Sequence, residues 1–147
     1  MKILIQRSKN SSVKVENKVV GKINYGMVIF ICFESLDGEE LIHKAISRLL
    51  KLRIFDDPQT KKMSYTIEQV KGQVLVISQF TLSWNGQGGN RPSFDASMSP
   101  LKAQNFFQKF CEDWKETSTV PIESGIFGAD MEVQIINDGP VTFFLQV

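Results

Sequence analysis

The run Met27–Phe33, MVIFICF, constrains the fold more than any other segment. Its seven apolar residues in a row leave no polar face, so a strand made from them must be covered on both sides and belongs at the centre of a sheet. It is too short to cross a membrane as a helix, which takes roughly 18–20 apolar residues. No other run in the 147-residue chain reaches that length, so no membrane association is expected.

The covering must come from amphipathic segments. In EELIHKAISRLLKLRIF, residues Leu41, Ile42, Ala45, Ile46, Leu49 and Leu50 fall on one helical stripe. Glu39 and Glu40 sit near the positive N-terminal end of that helix. In SPLKAQNFFQKFCEDWKE, Ser99 is a candidate N-cap and Pro100 suits the first helical position. Ala103, Phe106 or Phe107, Phe110 and Trp114 then recur at helical spacing.

The rest reads mostly as strands. MKILIQR alternates, and SSVKVENKVVGKI reads as two short strands around the turn ENK. QVLVISQFTL is a strand ending in a hydroxyl-bearing stretch, and DDPQTKK is a loop. MEVQII and VTFFLQV are strands that flank NDGPVT, where a turn is expected. SWNGQGGNRPSFDAS is a long loop of the kind that usually carries function in a small domain. Two helices, many strands and mostly antiparallel connections predict one α+β domain spanning 1–147. The sheet should be curled or closed into a barrel so that few edges stay exposed.

With 42% hydrophobic and 22% charged residues, the chain can form an ordinary soluble core. A net charge of +1 is not the footprint of a protein that wraps a long nucleic acid. It is compatible with one that grips only the end of an RNA. The N-terminal segment lacks the apolar block and small-residue cleavage site of a signal peptide, and a cytoplasmic location is expected. Cys32 lies in the apolar run and Cys111 in a helical pattern, which reads as two buried free thiols rather than redox or catalytic groups.

Side-chain chemistry is sparse. The single histidine, His43, sits beside Lys44 on the first helix, where a solvated face is expected. Without it no Ser-His-Asp or Cys-His set can be assembled. Ligand spacing for a metal is lacking, NGQGGN fits no nucleotide fingerprint, and neither metal nor cofactor is expected. What remains are the hydroxyls of Ser78 and Thr81, the amide of Gln79 and main-chain groups. Such a set can position a substrate and stabilise an oxyanion, where one donor contributes about 2.7–4 kcal/mol. That is enough only if the substrate is already reactive.

Three segments read together carry a resemblance. SQFTL (Ser78 to Leu82), GNRPSF (Gly89 to Phe94) and FGADMEVQIINDGPVTF (Phe127 to Phe143) closely resemble the D-aminoacyl-tRNA deacylase family. IQR near the start and LRIF after the first helix add to it, and the similarity runs along essentially the whole chain. It implies hydrolysis of the ester between a D-amino acid and tRNA, with the aminoacyl-tRNA 3′ end as partner. It also implies a homodimer in which a cis Gly139–Pro140 loop enters the partner's site. The residues alone do not fix that isomer and favour an ordinary hairpin turn with a strand-starting proline at NDGP, since X-Pro bonds are mostly trans.

The resemblance further implies a main-chain filter. With the amino group and ester carbonyl fixed, the Gly139 and Pro140 carbonyls would fill the space an L side chain needs and leave a D side chain uninspected. Glycine would pass such a filter, so glycyl-tRNA should be cleaved as well. By the same resemblance, Ser78, Gln79, Phe80 and Thr81 form the catalytic strand end. Main-chain N–H groups around Phe80 and Thr81 would meet the oxyanion, and Phe80 would pack against the terminal adenosine. No base is at hand to make Thr81 a nucleophile, and the family works through the 2′-hydroxyl of the terminal adenosine.

Arg7, Pro92, Phe94, Ala103, Met131 and Asn137 are the implied substrate-binding positions, with Arg7 bracing the Gly-Pro loop. Core packing would account for Ala103 and Met131 equally well, and a surface salt bridge for Arg7. Arg91 could meet RNA phosphate or simply be solvated. Two departures affect the RNA contacts rather than the filter: Gly88 stands where the family is usually basic, and KMSYTI replaces a segment that often carries asparagine. Two other readings compete. One is a non-catalytic oligomeric β-barrel that binds RNA ends or a small ligand. The other is a sister deacylase acting on L-alanine, which the intact Ser78–Thr81 motif disfavours.

Overall fold

The structure, a computed structural model, describes residues 1–87 and 89–147. Its sheet is organised around β1 (Lys2–Val15), a single strand of 14 residues. The alternation seen in MKILIQR therefore continues through SSVKV rather than stopping. A turn at Glu16 and Asn17 leads into β2 (Lys18–Ile23). Both turn residues have positive φ, 49° and 63°, the left-handed pair that a tight two-residue hairpin demands.

β3 (Gly26–Cys32) is interior, as MVIFICF requires, and lies between β1 and β6 (Gln73–Ser78). The sheet continues to β7 (Ile122–Ser124) in the order β2-β1-β3-β6-β7. The apolar run divides its side chains between two cores. Met27, Ile29 and Ile31 face α1 (Glu40–Lys51) and α2 (Pro100–Thr117), where they share a core with Ile42, Ile46, Phe110 and Trp114. Val28 points the other way, into a second core with Val13, Ile23, Leu75 and Ile77. Exposing one such side chain would forfeit about 1.5–3 kcal/mol, and a slip of one residue would move all of them, so the register is strongly specified.

β3–β6 and β6–β7 are parallel, because the chain crosses over through α1 between the first two and through α2 between the second two. The three pairings of β1 and the small sheet β4 (Phe55–Asp56) with β5 (Met63–Tyr65) are antiparallel, so antiparallel pairing predominates among the named strands, as expected. That small sheet frames the loop read at DDPQTKK. Ser99 precedes α2 without a side-chain capping bond; its carbonyl accepts the Ala103 N–H at 2.9 Å, and Pro100 does open the helix. The strand expected over QVLVISQFTL ends at Ser78, and Phe80–Ser83 form a single 3-10 turn.

The sheet is nearly closed. A side-chain carbon placed on Gly21 of β2 would lie 2.9 Å from the Ser124 carbonyl of β7, so the two ends of the ladder almost touch. This is the barrel-like α+β fold expected. No described helix is long and apolar enough to cross a membrane.

The last strand, β8 (Glu132–Gln146), differs most from expectation. NDGP does not reverse the chain. Both flanks pair antiparallel with β1, from Lys2–Gln146 to Lys14–Glu132. Between the pairs Gln6–Thr142 and Ser8–Asn137, β1 advances two residues while β8 advances five. The surplus leaves the ladder as a bulge, as extra residues on one strand must. Proline is tolerated there because the bulge has no ladder partner to lose. The Gly139–Pro140 peptide within it is cis.

Candidate active site

A cavity of about 740 Å³ opens at the carboxyl ends of the parallel strands β3 and β6. That falls in the range of about 300–1,000 Å³ usual for small-ligand sites. Its floor is apolar, from Ile31, Ile77 and Phe33. Ser78, Gln79 and Phe80 form one wall, and Phe94, Ala103 and Met131 of the expected set also line it. Residues not anticipated join them: Asp95, Met98, Phe127 and Asp130. Phe127 and Asp130 lay within the quoted FGAD motif, and that was the only signal for them.

The wall changes from strand to turn at Gln79, whose N–H still donates to the Ile31 carbonyl at 2.8 Å, extending the β3–β6 pairing by one bond. The chain then coils. Leu82 N–H returns to Gln79 O at 3.3 Å and Trp84 N–H to Thr81 O at 3.2 Å. Phe80 and Thr81 open the turn, so their N–H groups have no acceptor within it. Among the described residues they have no main-chain acceptor elsewhere.

The Gln79 amide donates to Thr81 Oγ1 at 2.6 Å, and this hydrogen bond lies on the exposed side of the turn. This partner of the Thr81 hydroxyl is an amide donor, which is no base. Phe80 is 57% exposed at the cavity mouth. Its ring meets Phe94 edge-on, centroids 5.0 Å apart, a stable aromatic geometry that holds the ring while leaving much of it open. Cys32 also reaches the cavity, but burial pushes its thiol up to about 11, which keeps it protonated and inert. Cys111 is likewise pushed up to about 11 by burial, and both cysteines are free thiols.

The other expected residues form a second cluster outside this cavity. Arg7 is buried and sits under the bulge. Its Nε donates to the Asp138 carbonyl and pairs with the Asp138 carboxylate, both at 3.2 Å. Its Nη1 donates to the Ile54 carbonyl at 2.9 Å and pairs with Asp56 at 3.0 Å. Asn137 closes the bulge from the other side: its Oδ1 accepts the Val141 N–H at 3.0 Å and its Nδ2 donates to Thr142 Oγ1 at 3.1 Å. Gly139 and Pro140 are exposed at the tip. Pro92 and Arg91 are exposed and do not line the cavity. Gly88 lies outside the described residues. His43 is 64% exposed on its helix, with Nε2 3.6 Å from Asp113 of α2, and takes no part in either cluster.

Comparison with known proteins first gives a class. A solved chain described as a probable eukaryotic D-amino acid tRNA deacylase superposes with a TM-score of 0.84, covering 99% of this chain and 98% of its own. At 18% identity it speaks to the fold alone. Another, described as c-Myc DNA Unwinding Element Binding Protein, superposes at 0.95 with 32% identity over 100% of this chain and 99% of its own. Sequence relatives are more specific. The D-aminoacyl-tRNA deacylase of Dichelobacter nodosus is 44% identical over 98% of each chain. That of Aquifex aeolicus is 45% identical, covering 99% of this chain and 97% of its own. Residues 4–146 match the family described as D-Tyr-tRNA(Tyr) deacylase, and the chain belongs to this family of hydrolases.

Proposed function

We propose that the chain is an aminoacyl-tRNA editing hydrolase that releases D-amino acids, and glycine, from tRNA while sparing L-aminoacyl esters. The observation that carries this reading is the separation of the two clusters. The cavity has an aromatic platform beside unpartnered main-chain donors, and the Gly139–Pro140 tip is exposed on a firmly braced bulge that is no part of the cavity's lining. A homodimer in which the bulge of one protomer enters the cavity of its partner would complete both. The apolar side chains that β8 leaves open support such a partner, since Ile136, Phe143 and Phe144 are 47%, 40% and 56% exposed.

In that arrangement the Gly-cisPro carbonyls occupy the position of an L side chain. The Phe80 and Thr81 N–H groups receive the ester oxygen as it gains charge. Phe80 stacks on the terminal adenine, and Ala103 and Met131 shape the pocket around it. The nucleophilic water is oriented by the 2′-hydroxyl of the terminal adenosine, because the side-chain partner of Thr81 among the described residues, the Gln79 amide, is no base to activate it. The whole chain acts as one cytoplasmic domain.

The test mixes purified protein with D-Tyr-, L-Tyr- and Gly-tRNA and follows ester loss. D-Tyr and Gly esters should be cleaved and the L-Tyr ester spared. A D-Tyr ester left intact would end the deacylase reading; cleavage of D-Tyr with full resistance of Gly would end the filter alone. Thr81→Ala should keep substantial activity while a terminal 2′-deoxy tRNA loses it. The reverse pattern, with Thr81→Ala folded but dead, would make Thr81 the nucleophile.

A further inference from the structure

The turn Phe80–Ser83 can serve as an oxyanion site only if its main chain stays still as charge develops. Its first and last residues are gripped by one cross-strand pair. Lys2 of β1 and Cys32 of β3 stand directly opposite each other in the antiparallel ladder, so their side chains emerge on the same face of the sheet. From that face Cys32 Sγ reaches the Phe80 carbonyl at 3.5 Å, sharing its one proton between that oxygen and the Phe33 carbonyl at 3.6 Å, and Lys2 Nζ donates to the Ser83 carbonyl at 3.1 Å.

The two contacts suit their tasks. The Cys32 thiol keeps its proton and remains a donor. The Lys2 charge is balanced by Glu34 at 3.0 Å, and its side chain is only 13% exposed. Ser83 is buried, and among the described residues its own hydroxyl has no partner. That end of the turn is therefore held through its carbonyl rather than through its side chain. Both carbonyls are thus engaged from the sheet, while the Phe80 and Thr81 N–H groups have no main-chain acceptor among the described residues; Phe80 lines the cavity and Thr81 stands next to it in the chain, outside the lining.

We propose that the Lys2–Cys32 pair is a platform that positions the active-site turn for deacylation, which makes both of them positioning residues. The proposal rests on the deacylase reading above and adds to it two residues from outside the SQFTL motif. Lys2→Met keeps the length of the stem and removes the donor; Lys2→Arg restores a donor that can reach a carbonyl. Cys32→Ala and Cys32→Ser form the matching pair at the other end.

The experiment has two arms, steady-state hydrolysis of D-Tyr-tRNA and amide hydrogen exchange. Lys2→Met should lower kcat about tenfold or more while KM stays within about twofold, because misplaced donors weaken the transition state rather than binding. Lys2→Arg should recover most of the loss. Cys32→Ala should show a smaller drop that Cys32→Ser repairs. In Lys2→Met, exchange at the Leu82 and Trp84 amides, whose bonds to Gln79 and Thr81 close the turn, should accelerate while the core amides of α1 keep their protection.

The platform is overturned if Lys2→Met retains wild-type kcat, if Lys2→Arg is as impaired as Lys2→Met, or if the loss merely tracks a lower urea midpoint. A wild-type protein that leaves D-Tyr-tRNA intact would end the deacylase reading. The exchange arm would then still decide the platform, and unchanged exchange at the turn would sink it.

Discussion

The turn at Phe80–Ser83 and the bulge at Asn137–Val141 are both main-chain devices, yet they are braced in contrasting ways. The turn rests on the sheet. Its carbonyls take one thiol and one ammonium from beneath, and each bond is modest alone. The bulge is lashed to a buried cation, Arg7, which binds a carbonyl and a carboxylate of Asp138 and is itself fixed to Ile54 and Asp56, while the more exposed Lys9 pairs with the same carboxylate at 3.1 Å. Under the proposed function the turn receives new charge, and it has neutral N–H groups free of main-chain acceptors for that task. The bulge would only obstruct, a task that gains from rigidity, and charge-assisted bonds supply it. The contrast implies that damage to the turn should appear in rate, and damage to the bulge in both selectivity and stability.

The largest expected effect comes from the tip of the bulge. Gly139 has φ +125°, and an added Cβ would lie 2.7 Å from Val141 Cγ2 and 3.1 Å from Val141 N. Gly139→Ala should therefore reshape the tip and lower single-turnover cleavage of D-Tyr-tRNA about a hundredfold, the scale expected for an ångström-sized misplacement. Its circular dichroism should stay native. Undiminished cleavage by a folded Gly139→Ala protein would break the comparison, since the bulge would then have no part in the reaction.

Next comes Arg7. Arg7→Ala strips the donors from Asp138 and the Ile54 carbonyl. It should cost about 2–3 kcal/mol in urea unfolding, in line with the loss of charge-assisted bonds at a buried site. Phe80→Ala should act on binding instead, raising KM for D-Tyr-tRNA about tenfold with little change in the urea midpoint, because base–aromatic stacking contributes about 1–3 kcal/mol. The smallest effect is expected from iodoacetamide. With Cys32 and Cys111 both raised to about 11, thiolate at pH 8 amounts to roughly one part in a thousand. Brief treatment should leave the rate unchanged, and rapid inactivation would place a reactive thiol in the cavity.

How far the sequence reveals this molecule depends on how local each signal is. MVIFICF and QVLVIS announce strands buried on both faces, and the helical stripes through Ile42–Leu49 and Phe106–Trp114 are read directly from spacing. The parallel pairing of β3 with β6 is invisible in either strand, because it follows from where α1 carries the chain. QFTL has the composition of a strand yet coils, because its place above Lys2 and Cys32 is decided by distant parts of the chain. NDGP carries turn chemistry, but whether such residues reverse a chain or interrupt a strand depends on what the flanks pair with. Both flanks pair with β1.

The site divides in the same way. Ser78, Gln79, Phe80, Phe94, Ala103 and Met131 meet in one cavity, while Arg7, Asn137, Gly139 and Pro140 meet elsewhere. Only the family resemblance suggested that the two groups serve one reaction. Lys2 and Cys32 left no motif to read, since their relation is purely one of register.

That register has a protective side. β1 carries Lys2 beneath the turn at one end and Arg7 beneath the bulge further along, so a strand that docked one residue out of place would withdraw both supports together. An editing enzyme that lost its discrimination but kept its chemistry would attack the cell's entire supply of correctly charged adaptors. Under the proposed function, threading both supports on a single strand makes a one-residue slip fail silent, yielding an idle protein rather than an indiscriminate one.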